Sequence, residues 1–161
     1  MVFLILAMAA AAAPAADQEV RGWTVSNAEN SCTAERTYED GTTVTFSLDH
    51  DHSDSDITLW NDRWQSISKE DTYQIAVQFD LEEPTVLKSS GMKTETAGGI
   101  YISTDGVPTI AAAMAANTVS FRNGSRLIGK YRLDGSNSAL LAVARCNGRA
   151  STIISPDPFA K

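Results

Sequence analysis

The sequence predicts an α+β domain that is mainly antiparallel β, arranged as a sheet or a sandwich, with two short helices in its last third and one disulfide. Three observations carry this prediction. Apolar and polar residues alternate with period two in Thr42–Leu48 and Tyr73–Phe79, as expected of half-buried strands. Beyond Ala16, alanine- and leucine-rich runs occur only after Pro108. The chain after Ala16 keeps just two cysteines, Cys32 and Cys146.

The first sixteen residues, MVFLILAMAAAAAPAA, carry no charged side chain and run apolar from Val2 to Ala13. That layout is a secretory signal peptide. The run is shorter than the ~20 residues of a membrane span, and Ala13, Ala15 and Ala16 suit cleavage before Asp17. A periplasmic or secreted protein is expected, with no membrane span left after cleavage. Residues 17–150 then form a single mainly β domain, followed by a loosely ordered tail, 151–161, that contains Pro156 and Pro158. In an oxidising compartment Cys32 and Cys146 pair, closing a loop of more than a hundred residues.

Element by element, Val20–Val25 reads as a strand centred on Trp23. Cys32–Tyr38 and Thr42–Leu48 flank the turn signal Glu39-Asp40-Gly41 and form the clearest hairpin. Ile57–Trp60 and Tyr73–Phe79 follow, then the shorter Thr85–Lys88 and Gly99–Ser103. Pro108 opens a helix that ends near Asn117. Val119–Arg122 and Arg126–Leu133 pair around Asn123-Gly124. A second helix starts at Gly135-Ser136, with Ser136 as its N-cap and Leu140, Val143 and Cys146 as the stripe facing the sheet.

Three segments of this chain carry a resemblance: GWTVSNAENSC, ITLWNDRW before a tyrosine-initiated strand, and GSNSALLAVARC. Together they resemble a group of small uncharacterised secreted proteins of alphaproteobacteria. More distantly, the segment from Arg126 through LDGSNSALLAVARC is similar to the end of the invasion-associated locus B family of periplasmic, mainly β proteins. In that family a cysteine tends to follow the Trp-x-Val strand directly, whereas polar residues separate Val25 from Cys32 here. The resemblance implies an envelope protein tied in some members to host or surface interaction, and it implies no reaction.

Charge is divided along the chain. Residues 17–83 hold sixteen carboxylates against four basic residues, a net of −12, and residues 84–161 hold four against nine, a net of +5, which gives the overall −7. If the halves interleave, the charges complement each other across neighbouring strands. The alternative is a basic face made by Arg122, Arg126, Lys130 and Arg132 for an anionic ligand or an envelope protein. Nucleic acid is not the expected partner, because the balance is acidic and no base-stacking motif accompanies the arginines.

No motif names a chemistry or a cofactor. Gly135-Ser136-Asn137-Ser138-Ala139 lacks the second glycine of a nucleophile elbow, and zinc-helix, P-loop and dinucleotide motifs are absent from the sequence. Trp60, Arg63 and Trp64 are either core packing or an aromatic surface for a sugar or cation. The stretch DHDHSDSD, residues 49–56, fails as a calcium loop, since Asp54 stands at the glycine place and Trp60 at the glutamate place. Its residues His50, His52, Asp49 and Asp51 are a candidate transition-metal set, and its mutually repelling carboxylates equally fit a solvated loop at one rim of a sheet. The expected function is a non-catalytic protein that presents a sheet surface to an envelope partner or ligand. The alternative is a small secreted enzyme or metal binder using residues 49–56.

Overall fold

A computed structural model describes residues 17–27, 31–49 and 54–146. The expected signal peptide 1–16, the candidate ligands His50, Asp51 and His52, and the expected tail 151–161 lie outside the described residues. Ten strands form one antiparallel sheet: β1 (Gln18–Val20), β2 (Trp23–Asn27), β3 (Ser31–Thr37), β4 (Thr43–Asp49), β5 (Ser55–Asn61), β6 (Thr72–Phe79), β7 (Thr85–Lys93), β8 (Gly98–Thr104), β9 (Thr118–Asn123) and β10 (Arg126–Arg132). Two helices, α1 (Val107–Ala115) and α2 (Ser136–Cys146), complete the described chain. The mainly β class with two C-terminal helices is therefore the observed one, as a single sheet in the order β1-β2-β3-β4-β5-β8-β7-β6-β9-β10.

The expected hairpin is β3–β4, with Ala34 opposite Phe46 and Arg36 opposite Val44. Its turn is held by Asp40, whose carboxylate accepts from the Thr42 amide at 2.9 Å and hydroxyl at 3.1 Å. The expected single strand over Val20–Val25 is instead two strands. Arg21 and Gly22 both adopt positive φ, at 50° and 82°, and pair Val20 with Trp23 across a two-residue hairpin. Arg-Gly is a weaker turn signal than Asn-Gly, so the alternation reads straight through it.

One face of the sheet carries Trp23, Phe46, Leu48, Ile57, Leu59, Ile75, Ile102 and Phe121, all fully buried in one core. α2 packs on β2, β3 and β4, while α1 reaches β5 and touches α2. The buried stripe of α2 includes Leu140 and Val143 as expected, whereas its last residue, Cys146, is exposed and forms a disulfide with the buried Cys32. Ser136 does not cap the helix. It is the first helical residue, and its hydroxyl donates to the Ala113 carbonyl at 2.9 Å, tying α2 to α1.

The sheet curls until its last strand meets the β3–β4 turn. There the rings of Tyr38 and Tyr131 stand 4.7 Å apart. The Tyr38 hydroxyl donates to the Arg132 carbonyl at 2.7 Å, and the Tyr131 hydroxyl donates to the Asp40 carboxylate at 3.1 Å. Burial pushes both phenols up to about 12. Both phenols stay protonated in the folded protein at a pH where the unfolded chain has released those protons. Their contribution is thus complete below pH ~10 and is lost as pH rises towards 12. Urea unfolding at pH 9 and pH 11 is expected to show a smaller loss of stability for Tyr38→Phe/Tyr131→Phe than for the wild type; an equal loss in both would contradict the seam.

Candidate binding surface

The strands divide the charge. β6, β7, β9 and β10 are neighbours, and between them they carry Lys88, Lys93, Arg122, Arg126, Lys130 and Arg132 without a single Asp or Glu. The acidic strand residues Glu19, Glu35, Asp49 and Asp56 fall on β1, β3, β4 and β5. The expected complementation is therefore not between hydrogen-bonded neighbouring strands. The acidic strands β1 to β5 lie in sequence order, and uncharged β8 separates them from the basic group. At the far edge β10 closes on the β3–β4 turn, so Lys130 and Arg132 line one cleft with Glu39, Asp40 and Asp134.

Register shows which basic residues share a surface. Along β9, Val119 and Phe121 point into the core, so Thr118, Ser120 and Arg122 face outward. Lys130 pairs with Ser120 and Arg132 with Thr118, so both lie on that outward face. Leu127, Arg122, Ala76 and Val86 form one row across β10, β9, β6 and β7. Lys88 pairs with Gln74 on the same side. Within that row Leu127 is 54 % and Val86 61 % exposed. The outcome is an outward sheet face with cations set among exposed aliphatic side chains.

The cations are not equally free. Arg132 forms an ion pair with Asp134 at 2.8 Å, which holds the Asp134 carboxyl below its ordinary range, chiefly through that hydrogen bond. Arg122 spends one Nη1 donor on the Ser125 carbonyl at 3.2 Å. Lys88, Arg126 and Lys130 have no ion pair or hydrogen bond among the described residues. Of the residues expected from sequence, Arg122 and Lys130 come together on the face, Arg126 stands at the hairpin end, and Arg132 is partly neutralised. Lys88, Val86 and Leu127 belong to the same surface and escape sequence reading, because β6 must insert between β7 and β9 to collect them.

Trp60 and Trp64 do not stand side by side on one face. Trp60 lies between the buried Leu59 and Asn61 and faces outward, with its indole covering Gly99 on β8. Trp64 packs against the core from the β5–β6 connection. A Cβ at Gly98 would stand 2.0 Å from the Trp64 carbonyl oxygen, so only glycine admits the connection there. Arg63 donates from Nη2 to the Asp40 carbonyl and braces the same turn as Tyr131.

Asp49 ends β4, and Asp56 faces outward on β5, where burial raises its carboxyl above the ordinary range against hydrogen bonds from Ser47 and Thr58. Ser55 and Asp56 open β5, with Ser55 paired to Leu48, and residues 50–53 lie outside the described residues. Among the described residues no group of three or more His, Cys, Asp and Glu side chains is placed to hold a metal. No helix among them is long and apolar enough to cross a membrane.

No family model matches the chain, and neither does any curated protein. Among solved structures, invasion associated protein B from Bartonella henselae is similar, with a TM-score of 0.61 at 13 % identity over 83 % of this chain and 99 % of that one. At that identity the likeness establishes a shared fold, in keeping with the resemblance read from the C-terminal segment, and function must be argued from the surface itself.

Proposed function

We propose that this protein is a non-catalytic extracytoplasmic protein that docks its basic outward face, β7-β6-β9-β10, on a phosphate-bearing envelope surface. One observation carries the reading: the outward side of four adjacent strands sets Lys88, Arg122, Lys130 and Arg132, and no carboxylate, around the exposed Leu127 and Val86. Phosphate-rich surfaces attract such a face by about 1 kcal/mol per Lys or Arg near the headgroups, and exposed aliphatic side chains add apolar contact. The disulfide, the apolar N-terminal segment and the resemblance to small secreted proteins of alphaproteobacteria support a place outside the cytoplasm. The likeness to an invasion associated protein is compatible with that setting.

The test is co-sedimentation with phosphatidylglycerol vesicles and with phosphatidylcholine vesicles. Binding is expected only to the anionic vesicles and is expected to fall steeply with added salt. Arg122→Gln/Lys130→Gln is expected to weaken it by about 2 kcal/mol, roughly 30-fold, with unchanged thermal stability because both side chains are exposed. Equal binding to both vesicle types, or no binding alongside capture by an acidic protein, would overturn the lipid-surface reading.

A further inference from the structure

Between the β6–β7 hairpin and the first turn of α1 the sheet leaves an opening into the core, a cavity of about 230 Å³. Its floor is aliphatic and aromatic: Ile57, Val77, Phe79 and Leu87, with Ala112 from the helix. Ile57 is fully buried and Val77 is 4 % exposed, so the floor is the core itself. Three carboxylates line the same cavity, Glu82 and Glu83 from the hairpin turn and Asp105 from the approach to α1. No Lys or Arg lines it. The three carboxylates make no hydrogen bond or ion pair among the described residues, unlike neighbouring Asp80, whose carboxylate accepts from the amides of Asn117 and Thr118 at 2.8 to 3.0 Å.

We propose that this cavity binds a small aliphatic amine, with its alkyl chain on the Val77–Phe79–Leu87 floor and its ammonium group among Glu82, Glu83 and Asp105. Size and charge both select this class. Apolar cavities of ~150 Å³ already take benzene, and pockets for drug-sized ligands begin near ~300 Å³, so a short chain fits while a long lipid tail does not. The α1 N-terminus, which has no side-chain cap, opposes a cation with about half a positive charge, and three carboxylates outweigh it. A carboxylate ligand is refused by the same three groups. The site lies apart from the basic outward face, so it stands or falls independently of the docking reading.

The experiment is an amide-shift titration of the isotopically labelled protein with hexylamine, hexanol and hexanoate at neutral pH. Hexylamine is expected to shift Val77, Phe79, Leu87 and Ala112 saturably, hexanol at least fivefold more weakly, and hexanoate not at all. Glu82→Gln/Glu83→Gln is expected to reduce hexylamine affinity about tenfold, and added salt to weaken binding to the unaltered protein. Equal binding of amine and alcohol, preference for hexanoate, or shifts away from these residues would overturn the proposal.

Discussion

Removing the disulfide, by Cys32→Ala/Cys146→Ala or by reductant, is expected to cost about 4–5 kcal/mol and to lower Tm by on the order of 15 °C. The bond joins residues 114 apart in sequence, with their Cα atoms at 6.3 Å. A cross-link over so long a loop removes much of the unfolded chain's freedom, and that chain-entropy term dominates the estimate. It also acts at one end of α2, joining the last helical residue to a fully buried position on β3. Total stabilities of ~5–15 kcal/mol make this a loss of about a quarter or more. Scanning calorimetry should show that reductant shifts the wild type and leaves the double variant unmoved. Two titratable thiols in wild-type protein denatured without reductant would contradict the bond.

Trp23→Ala is expected to remove about 3–5 kcal/mol in urea unfolding. Trp23 is fully buried on β2 with its ring 6.0 Å from that of Phe46. Its Nε1 donates to the Asp134 carbonyl at 2.9 Å, just ahead of α2. The next residue, Gly135, has φ 82° and lies so close to the β1–β2 turn that a Cβ would stand 2.6 Å from the Arg21 carbonyl oxygen. The start of α2 is therefore held against β2 and the β1–β2 turn, as its other end is held by the disulfide. Trp23→Phe retains most apolar area and loses the hydrogen bond, while Arg36 still donates to the Asp134 carbonyl at 3.1 Å. Its expected cost is about 1 kcal/mol. A Trp23→Ala protein within ~1 kcal/mol of wild type would contradict this role. Because both clamps hold one helix, combining Trp23→Ala with the cysteine changes should be non-additive.

What could be read from sequence follows the range of the interactions involved. β3–β4 is legible because alternation and the Asp40-Gly41 turn are local, and the stripe on α2 is legible for the same reason. The β1–β2 hairpin is hidden by a turn whose dipeptide is unremarkable. Ser136 has the sequence position of an N-cap, but its hydroxyl finds Ala113, 23 residues earlier, in place of the helix's own amides. The binding surface is half legible: Arg122, Arg126, Lys130 and Arg132 cluster along one hairpin, but the separation of charge depends on β8 inserting beside β5. That long-range pairing, 37 to 49 residues apart in sequence, keeps the acidic strands together and leaves the basic ones as neighbours.

The central claim, that β7-β6-β9-β10 forms a docking face for an anionic surface, is tested most directly by mapping amide signals as phosphatidylglycerol bicelles are added. Broadening or shifts are expected at Ala76, Val86, Lys88, Arg122, Leu127 and Lys130, reversed by salt, with β1 to β5 unaffected. Perturbation centred on β1 to β5, or indifferent to salt, would contradict it.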